Sequence, residues 1–266
     1  MISKTKIRTP PSGARAAPSP RRVGVARALS KLGVASRTVA AQWVRAGRVA
    51  VNGKIVHDPE TPVVLERDRL DVDERPVRAA EMRYVMLNKP RGLVTTARDE
   101  QGRATVYSCF SDRRDHGLAP VGRLDKASEG LLFFTNDTAW ANRLLDPGRH
   151  LPKVYHVQID SHADEGQLNR MRDGVRLEDR SVLRVSAVRV LRGGDKNSWL
   201  EIVLYEGKNR QIRRLLEVLE IGVLRLVRVA VGPVKLGTLA KGQSRALTAG
   251  ELNAVNSASS GRIDEK

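Results

Sequence analysis

At residues 120–135 the chain reads Pro-Val-Gly-Arg-Leu-Asp-Lys-Ala-Ser-Glu-Gly-Leu-Leu-Phe-Phe-Thr. The second half of this segment is an uninterrupted apolar run, which is typical of a strand buried on both faces. The first half is rich in turn residues, so we expect a polar loop at the edge of the core. In an extended loop Arg123 and Asp125 project to the same side. An acid at such a boundary is either a turn or cap residue or an ionised functional group.

The composition favours a polyanionic partner. The 266 residues include 47 Lys and Arg against 30 Asp and Glu, which gives a net charge of +17. An excess of this size is typical of proteins that bind nucleic acid. It does not distinguish an enzyme from a structural RNA-binding protein.

Several classes of site and of protein are disfavoured by the sequence. Cys109 is the only cysteine, which excludes an internal disulfide and a cysteine-rich zinc site. No apolar run approaches the roughly 18 residues of a membrane span. The histidines show no helical metal-binding pair, and glycine-rich phosphate or dinucleotide motifs are absent. We therefore expect a cytoplasmic protein, monomeric and not bound to a membrane, that uses no metal and no cofactor.

The first 21 residues are basic, rich in proline and free of acidic residues. This composition predicts a disordered tail that is available to contact phosphates. A transit peptide is the alternative interpretation, although the prolines disfavour the amphipathic helix that such a peptide needs.

Residues 22–76 have the pattern of a small domain. Apolar residues from Val25 to Leu32 predict a first helix, and Ser36 is a suitable N-cap for a second. Asn52-Gly53 is a strong hairpin signal between two short strands. Four cations surround these elements and could contact phosphates, or could simply be solvated: Arg37, Arg45, Arg48 and Lys54.

Three motifs in this region resemble the small RNA-binding module named after ribosomal protein S-four. They are Leu32–Arg37, Ala46–Val49 and Val51–Gly53. The resemblance implies RNA binding, mostly through the RNA backbone and shape.

The polar, proline-marked stretch at residues 71–81 predicts a linker, followed by a larger domain at residues 82–254 and a loose tail at residues 255–266. The larger domain opens with a strand that ends near Lys89 and Arg91, where the two cations either meet substrate phosphates or are merely solvated. Residues 153–159 alternate as in a strand. Asn209 is the expected N-cap of a later helix, whose buried stripe runs from Ile212 to Leu219.

Two motifs of the larger domain resemble those of the RsuA/RluB/RluE/RluF-type rRNA pseudouridine synthases. Gly122-Arg123-Leu124-Asp125 with Ser128–Leu132 resembles the catalytic motif, and Gly207–Arg214 resembles a late signature. The resemblance implies that Asp125 is the essential carboxylate, that Tyr155 lies in the active site, and that Arg213 forms an ion pair with Asp125. Glu220 departs from the pattern, since a helix-ending glycine is expected there. Further substrate contacts are expected from Arg123, Lys89, Arg91, Lys208 and Arg210.

The expected fold is α+β, with a small α/β RNA-binding domain followed by a catalytic domain that has a mixed, mainly antiparallel sheet flanked by helices. The resemblance implies that uridine is isomerised to pseudouridine in ribosomal RNA or a ribosome assembly intermediate, with base flipping. We expect large-subunit rRNA. A small-subunit rRNA enzyme and a non-catalytic ribosome-assembly protein remain alternatives, and an RNA hydrolase is a weaker third.

Overall fold

The computed structural model describes residues 22–97, 99–110 and 117–260. The predicted basic tail at residues 1–21 lies outside the described residues. One hydrophobic cluster is built from residues between Val23 and Val77. Two further clusters are built from residues between Tyr84 and Val255.

The amino-terminal part contains two helices and six short strands. In chain order they are β1 (Val23–Gly24), α1 (Val25–Lys31), α2 (Arg37–Arg45), β2 (Val49–Val51), β3 (Lys54–Val56), β4 (Pro62–Val63), β5 (Leu70–Val72) and β6 (Arg75–Pro76). Strands β3, β2, β5 and β6 form one sheet in that order, and β1 pairs with β4.

Local sequence signals account for this part of the chain. The Ser36 side chain accepts a hydrogen bond from the Val39 amide at 3.2 Å, as expected of an N-cap. Asn52 and Gly53 have φ angles of +52° and +81°, which are the left-handed conformations that a tight hairpin turn requires. The polar stretch at residues 71–81 was predicted to be a linker. Its first half is instead part of the β5–β6 hairpin.

The larger part begins at residue 84. Its elements are β7 (Tyr84–Lys89), a 3-10 helix (Val106–Cys109), β8 (Ala119–Pro120), β9 (Glu129–Thr135), α3 (Thr138–Leu145), a 3-10 helix (Pro147–Arg149), β10 (Lys153–Ile159), α4 (Glu165–Asp173), β11 (Val175–Arg176), β12 (Val182–Leu183), β13 (Ala187–Gly193), β14 (Ser198–Leu204), α5 (Gln211–Val218), β15 (Val223–Val231), β16 (Val234–Lys235), β17 (Ser244–Ala246) and α6 (Ala249–Ser260).

A nine-stranded sheet organises this larger part. Its main order is β13-β14-β10-β15-β9-β7-β17, with β8 beside β9 and β16 beside β15. Strands β9 and β15 run parallel, whereas the other pairs in the sheet are antiparallel. The predicted α+β fold with a mixed, mainly antiparallel sheet is therefore confirmed.

Strand β9 is the apolar run that the sequence singles out, and all seven of its residues are buried. Leu132 and Phe134 face one hydrophobic cluster, while Leu131 and Phe133 face another. Because successive side chains of a strand point to opposite faces, a strand covered on both sides must be apolar at every position. The polar loop before β9 is thereby attached to a strand that is buried on both faces.

Two local predictions need correction. Helix α5 is preceded by Arg210 in the left-handed region (φ +48°), with no side-chain cap from Asn209. Residues 255–260 belong to α6, where Val255 is fully buried; residues 261–266 lie outside the described residues.

Candidate active site

The loop that carries Asp125 is held by a hydrogen bond at every carbonyl from residue 124 to residue 128. The donors, in that order, are Thr95 Oγ1 (2.7 Å), Lys89 Nζ (3.1 Å), the Gly92 amide (2.8 Å), Arg213 Nη2 (3.1 Å) and Lys89 Nζ again (2.9 Å). These donors come from the end of β7, the segment after it and helix α5. A loop tied at five successive carbonyls is preorganised, because its backbone has little freedom to move.

The Asp125 carboxylate, in contrast to its backbone, accepts no hydrogen bond from any described residue. Its side chain is half-buried and lines a cavity of about 780 Å³. A fixed backbone with a free carboxylate leaves the acid available to react with a bound molecule. Arg123, two residues earlier, is exposed and lines the same cavity.

Lys89 is wholly buried, so the prediction that it contacts substrate phosphates is wrong. Its side chain has no exposed surface, and its ammonium donates to the carbonyls of Pro90 (3.1 Å), Asp125 and Ser128. Burial lowers the pKa of Lys89 from 10.5 to about 8, and the nearby charge of Asp125 opposes this shift. Lys89 is therefore a positioning residue for the Asp125 loop.

Arg213 also reaches the Asp125 loop, although not in the predicted way. It lines the cavity with Asp125, yet no salt bridge joins the two side chains among the described residues. Its Nη2 donates to the Ala127 carbonyl instead, and its buried Nε has no partner there. Burial and the charges of Arg210 and Arg91 lower the pKa of Arg213, while Asp125 raises it. The two predicted partners thus attract each other without a direct hydrogen bond.

Tyr155 lies in the cavity wall and is 9% exposed. Strand β10 places it there, because Tyr155, Val157 and Ile159 are buried on one face of the sheet, as their alternation predicts. The ring belongs to the larger hydrophobic cluster. Its position allows one ring surface to meet a molecule in the cavity.

The cavity is strongly basic. Eight lysine and arginine side chains line it, against three acidic ones. Lys208 and Arg210 are two of these cations, and both are exposed on the loop before α5. Lys208 Nζ pairs with Glu206 at 3.1 Å. Arg91 is exposed near Arg213 but does not line the cavity. The surplus of positive charge attracts a polyanion toward Asp125.

Two further residues of the motif segment matter, beyond those predicted to contact the substrate. Glu129 is 3% exposed and pairs with Arg225 (3.1 Å) and Lys241 (2.6 Å), so a buried charge is fully compensated. At Gly130 an added Cβ would lie 2.3 Å from the Arg228 carbonyl oxygen. The close approach of β9 and β15 thus requires glycine. The sequence does contain a signal for both residues, because an acidic residue and a glycine stand directly before the apolar run.

The four cations of the amino-terminal part differ in whether an acidic side chain pairs with them. Arg48 bonds Asp73 through Nε at 2.8 Å and lies over the Trp43 ring. Arg37 pairs with Glu60 at 3.1 Å, and both side chains are largely exposed. Arg45 and Lys54 are exposed, with no acidic partner among the described residues. All four remain on the surface.

No helix within the described residues has the length and apolar character needed to cross a membrane. The same part of the chain contains no group of three or more His, Cys, Asp or Glu side chains arranged to hold a metal ion.

Comparison with known proteins agrees with this geometry. The profile of the RNA pseudouridylate synthase family matches residues 83–218, and that of the S4 domain matches residues 24–69. An uncharacterized RNA pseudouridine synthase of Aquifex aeolicus (strain VF5) is 41% identical over 231 residues, which cover 86% of this chain and 92% of that protein. The chain belongs to the RNA pseudouridylate synthase family.

Two further relatives support this membership. Ribosomal large subunit pseudouridine synthase B of Bacillus subtilis (strain 168) is 32% identical over 85% of this chain and 92% of its own length. A crystal structure of a pseudouridylate synthase has a TM-score of 0.62 and 27% identity, and the match covers 88% of this chain and 99% of the other. The resemblance seen in the sequence, to this family and to the S4 module, is therefore confirmed.

The two matched regions contain the site residues that the sequence predicted. Asp125, Tyr155 and Arg213 lie within the part matched by the pseudouridylate synthase profile. The surface cations Arg37 to Lys54 lie within the part matched by the S4 domain. This RNA pseudouridine synthase therefore carries its candidate catalytic acid in one matched region and an RNA-binding module in the other.

Proposed function

We propose that this pseudouridine synthase isomerises a uridine of large-subunit ribosomal RNA, with Asp125 as the catalytic carboxylate. The observation that carries the proposal is a free carboxylate on a loop fixed at five carbonyls, facing a basic cavity. The name of the Bacillus subtilis relative supports the choice of large-subunit rRNA. We propose that the enzyme acts as a monomer in the cytoplasm.

The reaction requires the bond between the sugar and the base nitrogen to break, the base to turn, and a bond from the sugar to carbon five of the base to form. Asp125 either attacks the sugar or the base, or removes a sugar proton. No described residue hydrogen-bonds its carboxylate, so the acid keeps its lone pairs for this step. Arg213, with its unpartnered Nε, adds a positive charge to the cavity that holds the acid.

The uridine must leave the RNA stack to reach Asp125, which costs a few kcal/mol. Tyr155 offers a ring surface on which the base stacks, a contact worth about 1–3 kcal/mol. Arg123, exposed at the cavity beside Asp125, holds the strand from which the base is displaced. Arg91, Lys208 and Arg210 contact neighbouring phosphates in this proposal.

The amino-terminal module adds affinity. We assign its RNA contacts to Arg45 and Lys54, which have no acidic partner among the described residues, and to Arg37, whose exposed pair with Glu60 is worth less than about 1 kcal/mol. Arg48 contributes the part of its guanidinium that Asp73 and Trp43 leave open. These contacts read the RNA backbone rather than its bases.

Substitution of Asp125 by Asn tests the proposal. The variant should release no tritium from rRNA labelled at carbon five of uridine, because the amide can neither attack nor accept the proton. Its affinity for the same RNA should stay within about threefold of wild type, since a neutral side chain removes no phosphate contact.

Glu100→Gln is the matched control, because Glu100 is an exposed acid that lines the same cavity. It should keep nearly full activity. Wild-type tritium release by the Asp125→Asn variant would refute the assignment of Asp125. A wild-type protein that binds rRNA but releases no tritium would instead favour a non-catalytic assembly protein.

A further inference from the structure

Two cations stand beside Tyr155 in the cavity without a role in the reaction described above. Lys153 precedes Tyr155 by two residues on β10, so the two side chains share a face of the sheet. Arg228, on the neighbouring strand β15, is paired with Tyr155 across the ladder. All three side chains line the cavity.

Within residues 22–97, 99–110 and 117–260, no acidic side chain compensates these two charges. Lys153 Nζ donates to the Tyr205 carbonyl at 2.7 Å, and Arg228 Nε donates to the Leu131 carbonyl at 2.7 Å. Neither side chain forms a salt bridge with a described residue. Burial lowers the pKa of Lys153, and the charge of Arg228 lowers it further. The pair of cations is therefore unfavourable until an anion joins it.

Arg228 is arranged to bind such an anion. Its residue is only 8% exposed, and its Nε is fixed by the Leu131 carbonyl. The two terminal nitrogens of the guanidinium have no hydrogen-bond partner among the described residues. Their fork geometry suits two oxygens of one phosphate group.

The walls around this pair strengthen the attraction. Phe133, Leu144 and Val231 line the same cavity and are each less than 8% exposed. An anion held against apolar walls is poorly screened by water, so each charged contact is stronger than on an open surface.

We propose that Lys153 and Arg228 form an anion subsite that binds one of the two phosphate groups flanking the uridine held against Tyr155. The inference rests on the proposed function, because it takes the ligand of the cavity to be a uridine nucleotide. Anchoring one phosphate beside Tyr155 fixes the sugar of the extruded nucleotide relative to Asp125. Lys153 and Arg228 are thus binding residues for the substrate backbone.

Equilibrium binding of uridine, uridine 5′-monophosphate and uridine 3′-monophosphate to the full-length protein tests the subsite. The wild type should bind one monophosphate at least about tenfold more tightly than uridine, as expected for a hydrogen-bonded charge pair. The preferred isomer identifies which flanking phosphate occupies the subsite. Lys153→Met, which keeps the length of the side chain and removes its charge, should abolish most of that preference.

Three other variants sharpen the result. Lys153→Arg keeps the charge and should keep the preference. Arg228→Lys, which loses the fork, should reduce it at least about threefold. Lys196→Met removes an exposed lysine in the turn between β13 and β14 and should change nothing.

A wild type that binds both monophosphates no better than uridine overturns the subsite. So does a folded Lys153→Met protein that retains the wild-type preference. Tritium release by the same wild-type preparation reports the proposed function separately. If the protein prefers a monophosphate but releases no tritium, the anion subsite is supported and the proposed isomerase activity is refuted.

Discussion

Replacing Lys89 by Met is expected to loosen the Asp125 loop and to destabilise the protein. The substitution removes three hydrogen bonds from one buried ammonium, to the carbonyls of Pro90, Asp125 and Ser128. Methionine has a similar length, so the change acts mainly on these bonds.

The magnitude follows from two opposing effects. A hydrogen bond from a charged donor contributes about 1.5–3 kcal/mol, and three are lost. In return, the variant avoids burying a charge. The fall of the Lys89 pKa from 10.5 to about 8 corresponds to roughly 3–4 kcal/mol for that burial, at about 1.4 kcal/mol per pKa unit. The lost bonds outweigh the relief, and the free energy of unfolding should fall by about 0.5–6 kcal/mol.

The effect on catalysis should be larger than the effect on RNA binding. A displacement of about 1 Å in a reacting group can lower the rate about 100-fold, and Lys89 ties both the Asp125 and the Ser128 carbonyls. We expect kcat for tritium release to fall by about that factor, with a Kd for rRNA close to wild type. Lys126→Met is the control, because Lys126 is an exposed lysine of the same loop and should shift stability by less than about 0.5 kcal/mol.

Titration of Lys89 should change kcat and stability in opposite directions as the pH rises. Above a pH of about 8 the wild-type side chain loses a proton and one of its three donors, so kcat should decline. Stability changes in the opposite direction, because the folded pKa is lower than the unfolded one. Between pH 8 and 10.5 the unfolded chain binds more protons, and the Lys89 contribution to the free energy of unfolding rises with pH. Both trends should be absent from Lys89→Met. A variant with wild-type kcat and wild-type urea unfolding would refute the positioning role.

Two other substitutions test the neighbourhood of Asp125. Arg213→Ala should lower kcat for tritium release more than it weakens rRNA binding, because the Asp125 loop loses its hydrogen bond at the Ala127 carbonyl; a wild-type kcat in this variant would show that the bond is not needed to position Asp125. Gly130→Ala should lower the free energy of unfolding by about 2–4 kcal/mol in a urea titration, since the added Cβ meets the Arg228 carbonyl oxygen at 2.3 Å and φ is +103°. Gly117→Ala isolates the backbone contribution, because its φ is +99° with open space around it, and equal losses in the two variants would contradict the close-approach argument.

Features that depend on neighbouring residues were predictable from the sequence. The buried strand β9, the Ser36 cap and the Asn52-Gly53 turn follow from apolar patterning, side-chain capping and backbone preference, which act over a few residues. Glu220 has a φ of +59°, so even the departure from the expected glycine marks a left-handed turn. The position of Asp125 at the edge of the core followed from the same local signals.

Only the tertiary structure decided which distant groups meet. Lys89 looks like an exposed lysine at a strand end, yet the loop at residues 124–128 folds over it and presents carbonyls from 36 and 39 positions away. Arg213 binds the Ala127 carbonyl rather than Asp125. Val255 sits in a buried cluster with Met86 and Trp140, so helix α6 is held by packing that its own composition does not encode. Burial and charge compensation depend on contacts between residues that are far apart in the sequence, so a local pattern carries no information about them.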